Sequence, residues 1–398
     1  MITTTYSLVE ICKIRSGKRL PKGCDFSEAP TAYKYIRARD IKNGAIDGSD
    51  LVYISEEVQS KIKKYIVNTN DIVITIVGAS VGDVAYVASE FDGMNLTENA
   101  VRLTEFAPYV NSKYLMYILN SSEYWELMQQ IAGGAAQPKL GIYKIEAIKV
   151  HLPPKEVQDR IVDILCTYDD LIENNQRQIK LLEEAAQRLY KEWFADLRFP
   201  GHETTPITDG IPEGWTVQSM NDIAEYINGY AFKPTDWGTV GKPIIKIKEM
   251  GSGVTTDTPR NTGEDIPEKY NVTAGDILFS WSATLSAMIW DEEDGLLNQH
   301  LFKVIPGEGI SREFVLQSIL KTLDEFSNLT TGSTMKHIQR GKLKEVKVNV
   351  PPTELMEQYR NISEPIREQI LNVKRQIILL RKARDRLLPK LMKGEIEV

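Results

Sequence analysis

Residues 152–165 read LPPKEVQDRIVDIL, and residues 350–363 read VPPTELMEQYRNIS. The proline pairs Pro153-Pro154 and Pro351-Pro352 lie 198 positions apart, and the offset holds without a gap through LLEEAAQRLYKEWF at 181–194 and LLRKARDRLLPKL at 379–391. Each copy carries a heptad seam. In the first it runs Ile161, Leu165, Tyr168, Ile172, Asn175, Ile179, Leu182, Ala186, Leu189, Trp193; in the second, Ile366, Ile370, Val373, Ile377, Leu380, Arg384, Leu387, Leu391. Steps alternating between four and three are those of a coiled-coil stripe buried against a partner helix. One such helix would read as an ordinary core helix, but two in register predict a pair that pack on each other.

Charge favours that pairing. Residues 157–196 hold 5 Lys/Arg against 9 Asp/Glu, whereas 355–394 hold 10 against 4, so an acidic helix meets a basic one. Asn175 interrupts the first seam where the second has Val373, and a buried polar residue there fixes register at some cost in stability. The second copy also contains Pro365 and Pro389, with Ser363 placed to cap a restarting helix. These predict a continuous first helix and a second one interrupted near 363–365 and kinked or ended near Leu388.

Working outward, the segments before each proline pair repeat too. SMNDIAEYINGYAFKP at 219–234 stands where SLVEICKIRSGKRLPK stands at 7–22, and residues 244–250 stand where 34–41 do. The apolar run DIVITIVGASVGDVAYV at 71–87 predicts a buried hairpin, answered by AGDILFSWSATLSAMIW from Ala274, with Asp276 matching Asp71. Tyr35 to Arg39 read as a strand, 113–131 and 314–329 as helices, and 199–215 as a Pro/Gly-rich linker without periodicity. The offset drifts from 212 at Gly17/Gly229 to 205 at Asp71/Asp276 and 198 at the prolines. Length therefore varies in the globular parts and is fixed in the helices. The fold class expected is α+β with a pseudo-twofold internal repeat.

At 398 residues the chain is long enough for two or three domains with ample core. It contains no apolar run near the roughly 18–20 residues that cross a bilayer, and MITTTYSLVEIC has no signal-peptide pattern, which predicts a cytoplasmic protein without a membrane partner. Cys12, Cys24 and Cys166 are scattered and lack metal-ligand spacing. Phosphate-loop, dinucleotide and HExxH patterns are missing, the histidines are dispersed, and Leu152 and Val350 precede the proline pairs where a base-methylating enzyme needs a polar side chain. The acidic run Asp291 to Asp294 reads as a solvated hairpin turn rather than a metal site. No catalytic residue and no metal ligand is expected.

Binding signals remain. The net charge is −7, yet residues 13–42 hold nine positive and three negative side chains, an electrostatic footprint for phosphate or an ordinary solvated face. Lys18, Arg19, Lys22, Arg37 and Arg39 are its candidate contacts, with Lys233, Lys246 and Lys248 in the repeated segments. The loops 133–141 and 330–340 occupy the same place in both halves and offer Gln137, Lys139, Ser333, Thr334, Lys336, His337 and Arg340, types that hydrogen-bond base edges or phosphate.

Taken together, LPP in the first half and VPP in the second, each followed by a long helix, LLEEAAQRLYKEWF before RFPGHE, IPEGW at 211–215 and the ending RKARDRLLPKLMKGEI resemble the specificity subunits of type I restriction-modification systems over essentially the whole chain. The resemblance implies two similar mixed α/β target-recognition domains (1–155 and 216–353), each reading half of a split duplex DNA target. They would be separated by antiparallel spacer helices (156–197 and 354–393), with a linker at 198–215 and a tail at 394–398. It implies no catalysis and no cofactor in this chain. Two methylation subunits using S-adenosylmethionine dock on the helices, and restriction subunits using ATP and magnesium join them. The departures are the missing IPEGW lead-in before the first domain and little identity between the variable parts, which implies an asymmetric target. Two rival readings are a self-contained methyltransferase or nuclease and a coiled-coil scaffold that binds only proteins.

Overall fold

The computed structural model describes residues 3–133, 138–282, 284–328 and 340–398, without the side chains at 325, 327, 328 and 340. The chain forms two compact units, Met1–Leu171 with Leu380–Val398, and Ile172–Leu379.

In the first unit a four-stranded antiparallel sheet runs in the order Lys13–Ser16, Ala100–Thr104, Ile72–Thr75, Val84–Tyr86. Tyr33–Ile36 pairs antiparallel with Val52–Ile54 and parallel with Asn95–Leu96. Thr4–Ser7 pairs with Lys149–Leu152, the strand that leads into Pro153. Side chains alternate across a strand, and here both faces are covered. Ile72 and Ile74 enter a core with the helices Ser112–Leu119 and Ser122–Ala132, while Val73 and Ala85 enter a second core with Ile36, Ile41 and Leu96. That two-sided burial is why 72–76 has no polar alternation. The single helix expected over 113–131 is two helices, the second starting at Ser122.

The second unit repeats this plan. Its sheet runs Ala224–Asn228, Leu301–Pro306, Ile277–Ser280, Ser286–Ile289, and Lys242–Ile245 lies parallel to Gly295–Leu297. The registers coincide. Ile14 faces Leu103 and Leu103 faces Ile72, just as Tyr226 faces Val304 and Val304 faces Ile277. Ser7–Lys149 is answered by Ser219–Lys347. The internal repeat is thus a repeat of hydrogen-bond pairing.

The strand expected through Arg39 stops at Ile36. The Asp40 carboxylate accepts the Arg37 backbone N–H and its guanidinium, and this draws 38–40 into a 3-10 turn. The segment 199–215 is also more ordered than its composition suggested. Phe199 and Trp215 are buried with ring centroids 5.0 Å apart, and Ile207–Thr208 pairs with Ile211–Pro212.

The first long helix spans Lys155–Tyr190 and passes into a π-turn at Lys191–Ala195. The wider turn lets two adjacent aromatics, Trp193 and Phe194, both enter the second unit's core beside Tyr190, Phe314 and Tyr359. The second long helix, Thr353–Lys393, is unbroken, contrary to the interruption expected at Pro365 and the kink or stop at Pro389. Ser363 is no cap, being buried inside the helix. Ion pairs hold the turns around Pro365, Arg312 to Glu364 at 2.8 Å and Glu313 to Arg367 at 2.9 Å. Along both helices Ile161, Leu165, Ile172, Ile370, Val373 and Ile377 are buried, and Tyr168, Ile179, Leu182, Leu189, Ile366, Leu380 and Leu387 are half-buried. Asn175 is buried as well, but its amide donates to Gln376 Oε1 at 3.3 Å rather than standing alone.

Candidate nucleic-acid interface

At one end of the first unit's main sheet, five chain segments are tied together through their backbones. Gly17 N–H donates to Ala100, Lys18 N–H to Leu96, Thr97 N–H to Ile36, Ile76 N–H to Asn99 and Leu140 N–H to Ile76, all within 3.0 Å. Gly17 is required here, because a Cβ would lie 2.0 Å from the Thr97 carbonyl oxygen. The Tyr35 hydroxyl donates to the Lys18 carbonyl at 2.8 Å. Burial pushes that phenol up to about 12, so it stays a donor through the physiological range.

Of the cations singled out in the sequence, this end carries Lys18, Arg19 and Lys139. Lys18, Arg19 and Lys22 are exposed, and the Lys18 ammonium sits 5.6 Å from the Tyr65 ring centre. Arg19 Nε donates to Glu98 Oε1 at 2.5 Å. Burial of Glu98 is the largest single influence and opposes its charge, but the Arg19 hydrogen bond, the residue's own backbone N–H, the Arg19 charge and the Thr97 hydroxyl together outweigh it and hold the carboxyl below its ordinary range. Lys139 is exposed in the segment bridged to Val77. Arg37 stands apart: it is bound to Asp40 and Asp50, and only 17% of its side chain is exposed, so it braces the turn. Arg39 is exposed but pairs with Asp50 at 2.6 Å.

The second unit builds the same end with other side chains. Gly229 N–H donates to Leu301, Tyr230 N–H to Leu297 and Asn298 N–H to Ile245. A Cβ on Gly229 would lie 2.1 Å from the Asn298 carbonyl oxygen. Lys233 and Lys248 are exposed, while Lys246 lies over the Trp237 ring at 5.2 Å. Trp281 and His300, neither of them among the contacts expected from sequence, have ring centroids 5.9 Å apart at this end, and the Trp281 indole donates to Asn228. Gln137, Ser333, Thr334, Lys336 and His337 lie outside the described residues, and Arg340 is described only by its backbone, in the turn Arg340–Lys344.

The acidic run is no free loop. Asp291 pairs with Lys374 at 2.7 Å, Glu292 accepts the Val254 N–H, and Glu293 pairs with Arg260. Every carboxylate of the three is engaged by protein, and no cluster suited to a metal occurs among the described residues. The three cysteines are free thiols, and no described helix is long and apolar enough to cross a membrane.

A family model for the type I restriction modification DNA specificity domain matches residues 3–184 and 212–372. The chain is 25% identical to the type I restriction enzyme MjaVIII specificity subunit of Methanocaldococcus jannaschii, over 96% of this chain and 95% of that one. It is 22% identical to the HindI specificity subunit of Haemophilus influenzae, over 98% and 99%. A crystal structure of a type I restriction-modification system S subunit from M. genitalium superposes with a TM-score of 0.55 at 16% identity, covering 98% of this chain and 96% of that one. The shared backbone plan of the two halves is therefore the plan of that fold.

Proposed function

The chain belongs to the type I restriction modification DNA specificity family, and from that premise we propose that it reads an asymmetric, split duplex target, one half with each recognition domain, across a gap set by its two long helices. It is a specificity subunit, the non-catalytic DNA-recognition component of a complex that it forms with other subunits. The reading as a self-contained enzyme falls with that assignment, and so does the scaffold without DNA readout.

The observation that carries the split target is the identity of strand register in the two halves combined with different side chains at the same end of each sheet. One scaffold with two surfaces suits two different half-sites. The cross-helix pairs support an antiparallel spacer: Asp169 meets Arg384 in the first unit, and Asn175 meets Gln376 in the second. Advance along one helix accompanies retreat along the other. At about 1.5 Å per residue, 36 helical residues span about 54 Å, or about 16 base pairs of duplex. A spacer of that length suits two readers set more than one helical turn of duplex apart.

In the assembled complex this subunit docks two methylation subunits, which supply S-adenosylmethionine chemistry, and restriction subunits, which use ATP and magnesium; the complex works in the cytoplasm. Exchanging residues 1–150 for the matching domain of a relative tests the assignment of halves. Methylome sequencing of cells expressing the hybrid with methylation subunits should show one half-site replaced and the other retained. Replacement of both halves, or of neither, would contradict it.

A further inference from the structure

The two turns that follow Asn95–Leu96 and Gly295–Leu297 are the same backbone device with different outward side chains. Thr97 and Asn298 are buried, and each side-chain oxygen accepts the N–H of the residue two positions on, Asn99 at 3.3 Å and His300 at 3.4 Å. Each turn is pressed against a glycine, Gly17 or Gly229, that could not carry a Cβ. The platform is fixed by these inner residues. The backbones of Asn99 and Gln299 belong to it, through Ile76 N–H to the Asn99 carbonyl and Gln299 N–H to the Tyr230 carbonyl, while the side chains of Glu98-Asn99 and Gln299-His300 differ between the two halves.

The outward chemistries differ in a readable way. In the first turn one Glu98 carboxylate oxygen accepts from Nε of Arg19, whose side chain is 78% exposed, and the other accepts the Thr97 hydroxyl at 3.2 Å. No protein hydrogen bond engages the terminal nitrogens of that guanidinium among the described residues. A fork oriented from behind by a carboxylate, with its paired donors outward, matches O6 and N7 of guanine. In the second turn the repeat places Ala231 where Arg19 stands, so no guanidinium is present. Gln299 is half-buried there beside exposed His300, which lies against Trp281. An amide has one donor and one acceptor side by side, the pattern that pairs with N6 and N7 of adenine.

We propose that these turns are specificity determinants: Arg19, positioned by Glu98, reads a guanine in the half-site of the first domain, and Gln299 reads an adenine in the half-site of the second. This rests on the reading that each domain recognises one half-site. Arg19 and Gln299 make the base contacts; Glu98 is a positioning residue that acts through the planar fork.

The test uses the full chain assembled with its methylation subunits and a pool of duplexes randomised across both half-sites. Bound duplexes are sequenced, so no methylation is needed for the readout. Arg19→Lys keeps the charge and removes the fork; it should lower preference for one guanine in the first half-site by about tenfold or more, with overall affinity for the pool little changed. Glu98→Gln, of the same shape, should weaken that same guanine preference without altering any other position. Gln299→Glu leaves only acceptors, and the matching adenine should give way to cytosine in the second half-site. Co-purification with the methylation subunits and an unchanged melting temperature verify folding of each variant. Selection of the wild-type sequence by these variants, or changes spread over both halves, would overturn the proposal and leave the two-domain reading standing. A wild-type complex that selects no split sequence would overturn the two-domain reading, and this proposal with it.

Discussion

Asp83 illustrates how a single residue can work against the fold that holds it. It sits at the edge of the first unit's hairpin, where burial pushes its carboxyl upward and the Trp125 indole, at 3.3 Å, is its only side-chain donor among the described residues. A carboxyl with a folded pKa above its unfolded one binds protons more tightly when folded, so stability falls as pH rises from the unfolded value of about 3.9 through the folded one. Asp83→Asn keeps an acceptor for the indole and removes the buried charge. Urea melts at pH 7 should show it more stable than wild type by about 0.5–1 kcal/mol, with the difference shrinking toward pH 3.5. A gain that persists unchanged at pH 3.5 would reject the charge explanation. The pair Glu313–Arg367 makes the opposite case, a buried charge that is fully met: Arg367 donates through Nε and Nη2 at 2.9 and 3.0 Å, and Gln317 donates to the same carboxylate. Arg367→Met strands Glu313 and should cost about 3–5 kcal/mol, while adding Glu313→Gln should recover much of that loss. Neither arrangement is legible in the sequence, because Asp83 and Trp125 are 42 positions apart and Glu313 and Arg367 are 54 apart; the Arg19–Glu98 pair, 79 apart, is hidden in the same way. The positive charge of residues 13–42 could be counted from composition, but which cations are neutralised, as Arg37 is, depends on those distant partners.

The long helices show where pattern reading succeeds and where it fails. The seam positions are buried or half-buried as a heptad demands, because burial of a stripe repeated over many turns outweighs any one local preference. The prolines were misjudged for the same reason. A proline inside a helix costs about 3 kcal/mol, yet Pro365 lies between Glu364 and Arg367, both ion-paired to the helix Arg312–Lys321. Those tertiary contacts hold the turn helical despite its missing hydrogen bond. Pro365→Ala restores that bond and should raise stability by about 1–3 kcal/mol, read as a higher urea midpoint for the second unit. An unchanged or lower midpoint would show that the proline is unstrained there. Asn175 has the reverse balance. Its buried amide reaches Gln376, and Asn175→Leu should stabilise the helix pair while increasing self-association of the chain, measured by sedimentation, as the polar register marker is lost.

For the whole molecule, the contrast that matters is between domains whose length drifts and helices whose length does not. The offset between repeats changes from 212 to 198 across the globular part and then stays constant from the proline pairs to the end of the helices. Insertions in surface loops cost little because loop-closure entropy grows slowly with length. An insertion in one paired helix moves every later seam residue off the partner, so only matched changes of whole heptads preserve the pairing. If the helices set the gap, deleting one heptad from each shortens the spacer by about 10 Å, or about three base pairs. Methylome sequencing should then return both original half-sites with a gap reduced by about three. Recovery of the original gap would show that the partner subunits set it. The same complex should depend on those partners for affinity. The chain carries a net charge of −7, and residues 197–354 hold 15 Lys/Arg against 22 Asp/Glu, too little positive charge to release many counterions from a duplex. The isolated chain should therefore bind its target weakly and with a shallow salt dependence, and adding methylation subunits should tighten binding and steepen that slope. Tight, sequence-specific binding by the chain alone in a gel-shift would place the clamp within this subunit instead.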